Sequence, residues 1–159
     1  MAAQPALPDE LLHALLDRMA VARLGLSTAD GRPEVLPIVC ARVGQTLFSP
    51  VDGKPKAHAR LARLAHLERE PRVALVFDHY DADWRQLWWI KLEADAVIAR
   101  GAHAAWEAAV AALRAKYPQY ATTPLFLGEP TLVVLPWQRV RWWAAGGLGG
   151  LEAWLADAD

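Results

Sequence analysis

Cysteine is nearly absent from this 159-residue chain: Cys40 is the only one, so no disulfide framework and no cysteine-based zinc site can form within one chain. It sits in an apolar run, which suits a buried inert thiol better than a reactive one. A basic excess is missing as well. The net charge of −1 and pI near 6.5 exclude a general nucleic-acid binder, whose phosphate contacts need surplus cations, so any anion site must be local. No apolar run approaches the roughly 20 residues of a membrane span, and the opening MAAQPALPDELL lacks the basic start of a signal peptide. The expectation is a cytoplasmic protein that binds neither membrane nor nucleic acid. Also missing are a G-x-G-x-x-G after a strand, a Walker-type lysine motif and a nucleophile-elbow serine, which sets aside those cofactor and hydrolase classes.

Tryptophan, by contrast, is abundant, with eight copies. Aromatic side chains gather at subunit interfaces and around flat ligands. At this length one domain with a proper core, or one subunit of an obligate dimer, is expected. The reading is a single domain over residues 1–145, followed by a glycine joint and short helix over 146–159.

Periodicity gives the elements. Leu11, Leu12, Leu15, Leu16 and Met19 share one face of a first helix entered through Pro8-Asp9-Glu10. A hairpin follows, turning at Ala29-Asp30-Gly31-Arg32 and returning through a strand expected over Pro33 to Arg42, with Pro37 marking a bulge or edge. Thr46 to Pro50 makes the next strand and feeds Asp52-Gly53-Lys54-Pro55-Lys56. In the helix beyond, Leu61, Leu64 and Leu67 are spaced by three, with Arg60 and Arg63 beside them, and Pro71 stops it. Val73, Leu75 and Phe77 alternate through a buried strand that ends in an acidic loop. Over Trp88 to Arg100 one long strand is expected, with Ile90, Leu92, Ala94, Ala96 and Ile98 inward and Lys91, Glu93 and Asp95 outward. A helix over His103 to Tyr117 and a last strand over Thr131 to Trp143, broken at Pro136, complete the chain. Short hairpin-linked strands with helices at the connections imply an α+β protein built on a small β-barrel.

Two lysines leading into a helix N-terminus make a ready anion site, because free N–H groups and the positive dipole end add to the ammonium charges. Lys54, Lys56, Arg60 and Arg63 fall within ten positions, so a phosphate is the expected guest, with a solvated basic turn as the alternative. Asp78, His79, Asp81 and Asp83 match neither a helical His pair nor a calcium loop, and no metal site is expected there. No catalytic dyad stands out.

The motifs DGKPK, EREPRVALVFDHY and DWRQLWW, with ARLGLSTADGRPEVLPIVCA before them, resemble the split β-barrel flavin and deazaflavin oxidoreductases related to pyridoxamine 5′-phosphate oxidase. Within that group the sequence is most similar to the branch dependent on the deazaflavin coenzyme F-420, over roughly residues 10 to 145. The resemblance implies a Greek-key, FMN-binding-like split barrel with peripheral helices, forming a homodimer with cofactor grooves at the subunit interface. By position it implies ring contacts from Pro37, Ile38, Val39, Ser49 and Val51, and phosphate contacts from Lys54, Lys56 and Arg60. It places Trp88, Trp89 and Lys91 at the dimer edge. Arg63 could meet the acidic tail of F-420. The function implied is hydride transfer between F-420 and a small conjugated or heteroaromatic substrate. Flavin mononucleotide on the same fold and a non-catalytic flavin- or haem-binding module are the alternatives. Cofactor-borne hydride chemistry also accounts for the lack of a hydrolase-like constellation.

Overall fold

The computed structural model describes residues 4–51 and 57–158, and for residues 57–61 the helical backbone without side chains. Four helices and eight strands follow in the order α1 (Asp9–Arg18), β1 (Ala22–Ser27), β2 (Pro33–Ile38), β3 (Ala41–Val43), β4 (Thr46–Pro50), α2 (Ala57–Arg69), β5 (Arg72–His79), β6 (Trp88–Asp95), β7 (Val97–Arg100), α3 (Trp106–Lys116), β8 (Thr131–Ala144) and α4 (Gly147–Asp157). Among these residues no helix is long and apolar enough to cross a membrane.

All eight strands join one antiparallel sheet in the order β2-β1-β5-β6-β8-β4-β3, with β7 also on β8. Its spine is β8. The first half of that strand pairs with β4, from Thr46↔Pro136 to Pro50↔Leu132, and with β7; its second half pairs with β6, from Ala94↔Trp137 to Trp88↔Ala144. The sheet curls around a core that includes Leu24, Leu47, Leu75, Phe77, Trp88, Ile90, Leu92 and Leu135. A second core lies between the β3-β4-β8 portion and α3, built from Phe48, Leu113, Tyr117, Tyr120, Leu132 and Val134.

The alternation expected for β5 and β6 is present: Val73, Leu75 and Phe77, and Ile90, Leu92 and Ala94, are buried, while Lys91 and Asp95 are exposed. Three expectations change, and the choice at Pro37 between a bulge and an edge falls to the edge. The strand from Pro33 to Arg42 is two strands, because the chain leaves β1 after Ile38 and rejoins the sheet beside β4 at Ala41. Pro37 makes no bulge; β2 runs in continuous register from Ala22↔Ile38 to Ser27↔Pro33, and its edge position tolerates the missing N–H. The long strand divides at Ala96, whose N–H bonds Pro71 O at 2.8 Å, next to the register shift between Glu93 and Ala94. Pro136, conversely, leaves β8 unbroken, since it lies where the pairing passes from β4 to β6.

The C-terminal glycines also behave differently from a joint. α4 starts at Gly147, which takes φ 63°, and a Cβ at Gly146 would lie 2.9 Å from the Gly150 Cα, so both positions need glycine. Leu151 then enters the core, and Trp154 packs edge-on against Trp88 with ring centroids 5.0 Å apart.

Neighbouring tryptophans therefore test the two faces of β6. Trp88→Ala removes a fully buried ring and is expected to cost about 3–5 kcal/mol of unfolding free energy. Trp89→Ala acts on the half-exposed outer face of the sheet, and urea denaturation should show it to be clearly milder. Equal losses would contradict the assignment of faces.

Candidate functional site

The residues assigned to the site from sequence divide between two sides of the sheet. Pro37, Trp89 and Lys91 share its outer face, and the register sets Pro37, Arg23, Val76, Lys91 and Arg141 in one row across five strands. Ile38 and Val51 point inward into the barrel core, and Ser49 is buried on β4. Val39 is half-buried, packed against the second core in the link between β2 and β3. Trp88 belongs to the core and not to the edge, because strand alternation turns it away from Trp89. Arg63 is half-buried on α2. Lys54 and Lys56 lie outside the described residues, as does the side chain of Arg60.

At the end of the sheet, β2 has no partner strand beyond β1 among the described residues. Proline cannot donate, so Pro33 and Pro37 must occupy positions whose backbone groups point away from β1. The antiparallel ladder then leaves the carbonyls of Pro33, Val35 and Pro37 and the N–H of Val35 along the open edge. Such an edge offers donors and acceptors in a line, as the pyrimidine-like edge of a flavin or deazaflavin ring requires. The backbone of Val51, by comparison, is engaged: its N–H bonds Thr131 O at 3.1 Å, and its carbonyl accepts Leu127 N–H at 2.9 Å.

Beside that edge the outer face carries a shallow depression of about 440 Å³, whose floor is low because β1 and β5 present Gly25 and Ala74. Val35 and Pro33 form one wall, and Arg72, Glu93 and Asp95 another. Its charges are held in place. Glu93 accepts Arg141 Nη2 at 3.0 Å with Arg139 Nη1 at 3.9 Å, Gln138 Nε2 donates to Asp95 at 3.1 Å, and Arg23 pairs with Asp78 at 3.0 Å. Hydrogen bonds from the Arg72 side chain, at 2.7 Å from Nε, and from its backbone N–H hold the Glu70 carboxyl down at about 2. Lys91 Nζ stands 4.4 Å from the centroid of the Trp89 ring, a cation–π contact.

Apolar side chains collect here too. Of the seven exposed large apolar residues among those described, Val21, Val35, Tyr80, Trp84 and Trp143 lie on this face or in segments at its end; Trp84 is 75% exposed and Tyr80 73%. A contiguous exposed apolar patch is a common mark of an interaction surface. Sequence reading did not find the depression, because Gly25 and Ala74 carry no signal until the register sets them side by side.

A second feature escaped it as well. The Val39-Cys40 link is held by α3: Tyr117 Oη accepts the Cys40 N–H at 3.1 Å and donates to Ala20 O at 2.7 Å, and Lys116 Nζ donates to Cys40 O at 2.9 Å and Leu16 O at 3.1 Å. Burial pushes the Tyr117 hydroxyl up, lowers Lys116 and raises the Cys40 thiol to about 11. Cys40 is thus an inert buried thiol at neutral pH. Among the described residues no group of three or more His, Cys, Asp or Glu side chains could hold a metal ion.

No protein-family model matches the sequence, and comparison with curated proteins gives no match. Solved structures do match. A conserved hypothetical protein of Mycobacterium tuberculosis aligns over 93% of this chain and 93% of its own, with TM-score 0.70 and 17% identity. HutZ, the haem storage protein of Vibrio cholerae, aligns over 84% of this chain and 92% of its own, with TM-score 0.62 and 15% identity. A protein of Listeria innocua provisionally named a pyridoxamine 5′-phosphate oxidase aligns over 84% and 94%, with TM-score 0.58 and 17% identity. At these identities the likeness establishes the fold: the chain is an α+β protein with the split β-barrel of the pyridoxamine 5′-phosphate oxidase-like type.

Proposed function

We propose that this chain is one subunit of a homodimeric oxidoreductase that binds a flavin-type cofactor, with F-420 preferred, and passes a hydride to or from a small conjugated or heteroaromatic substrate. The observation that carries the reading is the open edge of β2 beside the depression floored by Gly25 and Ala74. A flat ring needs both a polar line for its heteroatoms and a surface without protruding side chains. When bound, the cofactor supplies the hydride chemistry. The residues of the chain orient and desolvate it: Val35, Pro37 and Val39 along the edge, Ile38, Ser49 and Val51 as the buried support, and Trp89 and Lys91 at the rim. Lys54, Lys56 and Arg60 are assigned to the phosphate and Arg63 to the acidic tail of F-420.

Two of the split-barrel relatives carry names that point to flavin-type and to haem chemistry, pyridoxamine 5′-phosphate oxidase and haem storage. A haem needs an axial histidine, cysteine, methionine or tyrosine. Among the described residues, the nearest such groups are His66 beside Pro33 and Glu34 and the exposed Tyr80 after β5, at the ends of this face, and Cys40 is buried. None of them lines the depression floored by Gly25 and Ala74, and this lining favours the flavin-type reading.

The partner proposed for the outer face is a second copy of the chain. Charges of both signs lie side by side on it, with Arg23, Lys91 and Arg141 in one row and Glu93 beside Arg139 in the next, so a two-fold axis through this face can set cations of one copy near acids of the other. Sedimentation at micromolar concentration should give a dimer. A stable monomer would remove the groove on which the site depends.

Absorbance and fluorescence titrations with F-420, flavin mononucleotide and haem test the cofactor. Saturable binding of F-420, tighter than the other two, is expected. Lys54→Ala and Lys56→Ala should each weaken it roughly ten-fold or more with the fold intact, since a charge-assisted bond to phosphate contributes about 1.5–3 kcal/mol. Arg63→Ala should weaken F-420 more than flavin mononucleotide, with a smaller difference in high salt. Tighter flavin mononucleotide binding without that differential would move the assignment to the flavin, and haem binding alone would refute both.

A further inference from the structure

We infer that Lys116 and Tyr117 are positioning residues for the proposed cofactor site, acting as a polar clamp that fixes the backbone of the Val39-Cys40 link and with it the open edge of β2. The inference rests on the proposed placing of the ring along Pro37 to Val39. It starts from a problem of backbone accounting: between Ile38 at the end of β2 and Ala41 at the start of β3, the chain crosses from one part of the sheet to another, where no ladder can satisfy its peptide groups. Cys40 is buried at that crossing.

Both of its backbone groups are met by side chains of α3. The Cys40 N–H goes to Tyr117 Oη at 3.1 Å, and its carbonyl accepts Lys116 Nζ at 2.9 Å with Tyr117 Oη at 3.0 Å. The same two side chains reach α1 and the segment after it. Lys116 Nζ donates to Leu16 O at 3.1 Å, in the last helical turn, where carbonyls lack intrahelical partners and the dipole favours a cation. The Tyr117 proton goes to Ala20 O at 2.7 Å. Three segments, 16–20, 39–41 and 116–117, are thereby tied at one point. Tyr117 Oη holds one proton, so with the Ala20 bond made it serves Cys40 chiefly as an acceptor.

The geometry bears on the site because Pro37 and Val39 lie within three residues of the clamped peptide. An edge strand has no ladder on its open side to hold it, and β2 ends where the proposed ring contacts lie. Its far end is fixed by the Thr28–Arg32 turn, where Thr28 N–H bonds Arg32 O at 2.9 Å; its near end is fixed by the clamp. Releasing the clamp frees the near end alone. A cofactor edge then meets carbonyls that are no longer preset, and affinity falls through lost preorganisation with no direct contact removed.

The test compares the wild-type chain with Tyr117→Phe and Lys116→Met, and with Phe77→Leu as a control that loosens the shared barrel core while leaving every hydrogen bond of the clamp in place. Each is checked for fold by circular dichroism, then titrated with F-420 and with flavin mononucleotide, and its Cys40 is labelled with iodoacetamide under native conditions. The expected result is at least ten-fold faster labelling and at least ten-fold weaker cofactor binding in both clamp variants, with a shifted visible band for the cofactor that remains bound. Phe77→Leu, at matched loss of stability, should bind as wild type does. Unchanged labelling in both clamp variants would overturn the clamp. Faster labelling with unchanged affinity, or an equal affinity loss in Phe77→Leu, would overturn the positioning role. Wild type that binds neither cofactor would instead refute the proposed function, and the labelling rates would still decide whether the clamp exists.

Discussion

One strand, β8, has to serve two parts of the sheet at once, and most of the architecture follows from how it does so. Over its fourteen residues it pairs with β4 and β7 in the first half and with β6 in the second. The change of partner comes at Pro136 and Trp137, opposite the register shift between Glu93 and Ala94. A sheet bent this way curls far enough to enclose Phe77, Trp88 and Leu135, yet it stops short of closing. The strands left at its ends are β2 and β3, consecutive in the chain and joined by two residues. A barrel with an open edge is a liability for a lone subunit and an opportunity for one that binds a flat ligand or a second copy.

The two faces of the sheet then take on different tasks. Inside, Leu75, Phe77, Ile90 and Leu92 are wholly buried and hold the strands together. Outside, small residues at Gly25 and Ala74 lower the surface between paired charges, and aromatic rings gather at one end. Paired charges on an exposed face contribute little to stability by themselves. Their value lies in orientation, because Glu93 held by Arg141 and Asp95 held by Gln138 present a fixed pattern to whatever docks there.

Much of this was legible in the sequence where periodicity decides. Alternation in Val73-Leu75-Phe77 and Ile90-Leu92-Ala94 gave the inward face of β5 and β6, whereas Trp88, placed at the edge beside Trp89, lies in the core. The leucines of α1 gave its buried side. Resemblance, more than periodicity, carried the split-barrel reading. Long-range pairing was not legible. Nothing local in PEVLPIVCARV says that the chain changes partner at Val39-Cys40, because the apolar run is equally compatible with one strand or two. Pro37 and Pro136 looked like irregularities and proved compatible with regular register, one on an edge and one at a change of partner. The glycines after Ala145 looked like a joint, although close packing of Gly146 on Gly150 places them in a helix turn. Tyr117 read as one more inward residue of α3, and its hydroxyl finds its role only when the fold brings Cys40 and Ala20 to it.

The central claim is that the open edge of β2 receives a flavin-type ring, and amide hydrogen exchange on the protein with and without saturating F-420 tests it most directly. The account predicts slower exchange on binding at Val35 and Val39, the amides nearest the proposed ring, with little change in the buried ladder of β5 and β6. Unchanged exchange along β2, or protection confined to the opposite edge at β3, would contradict it.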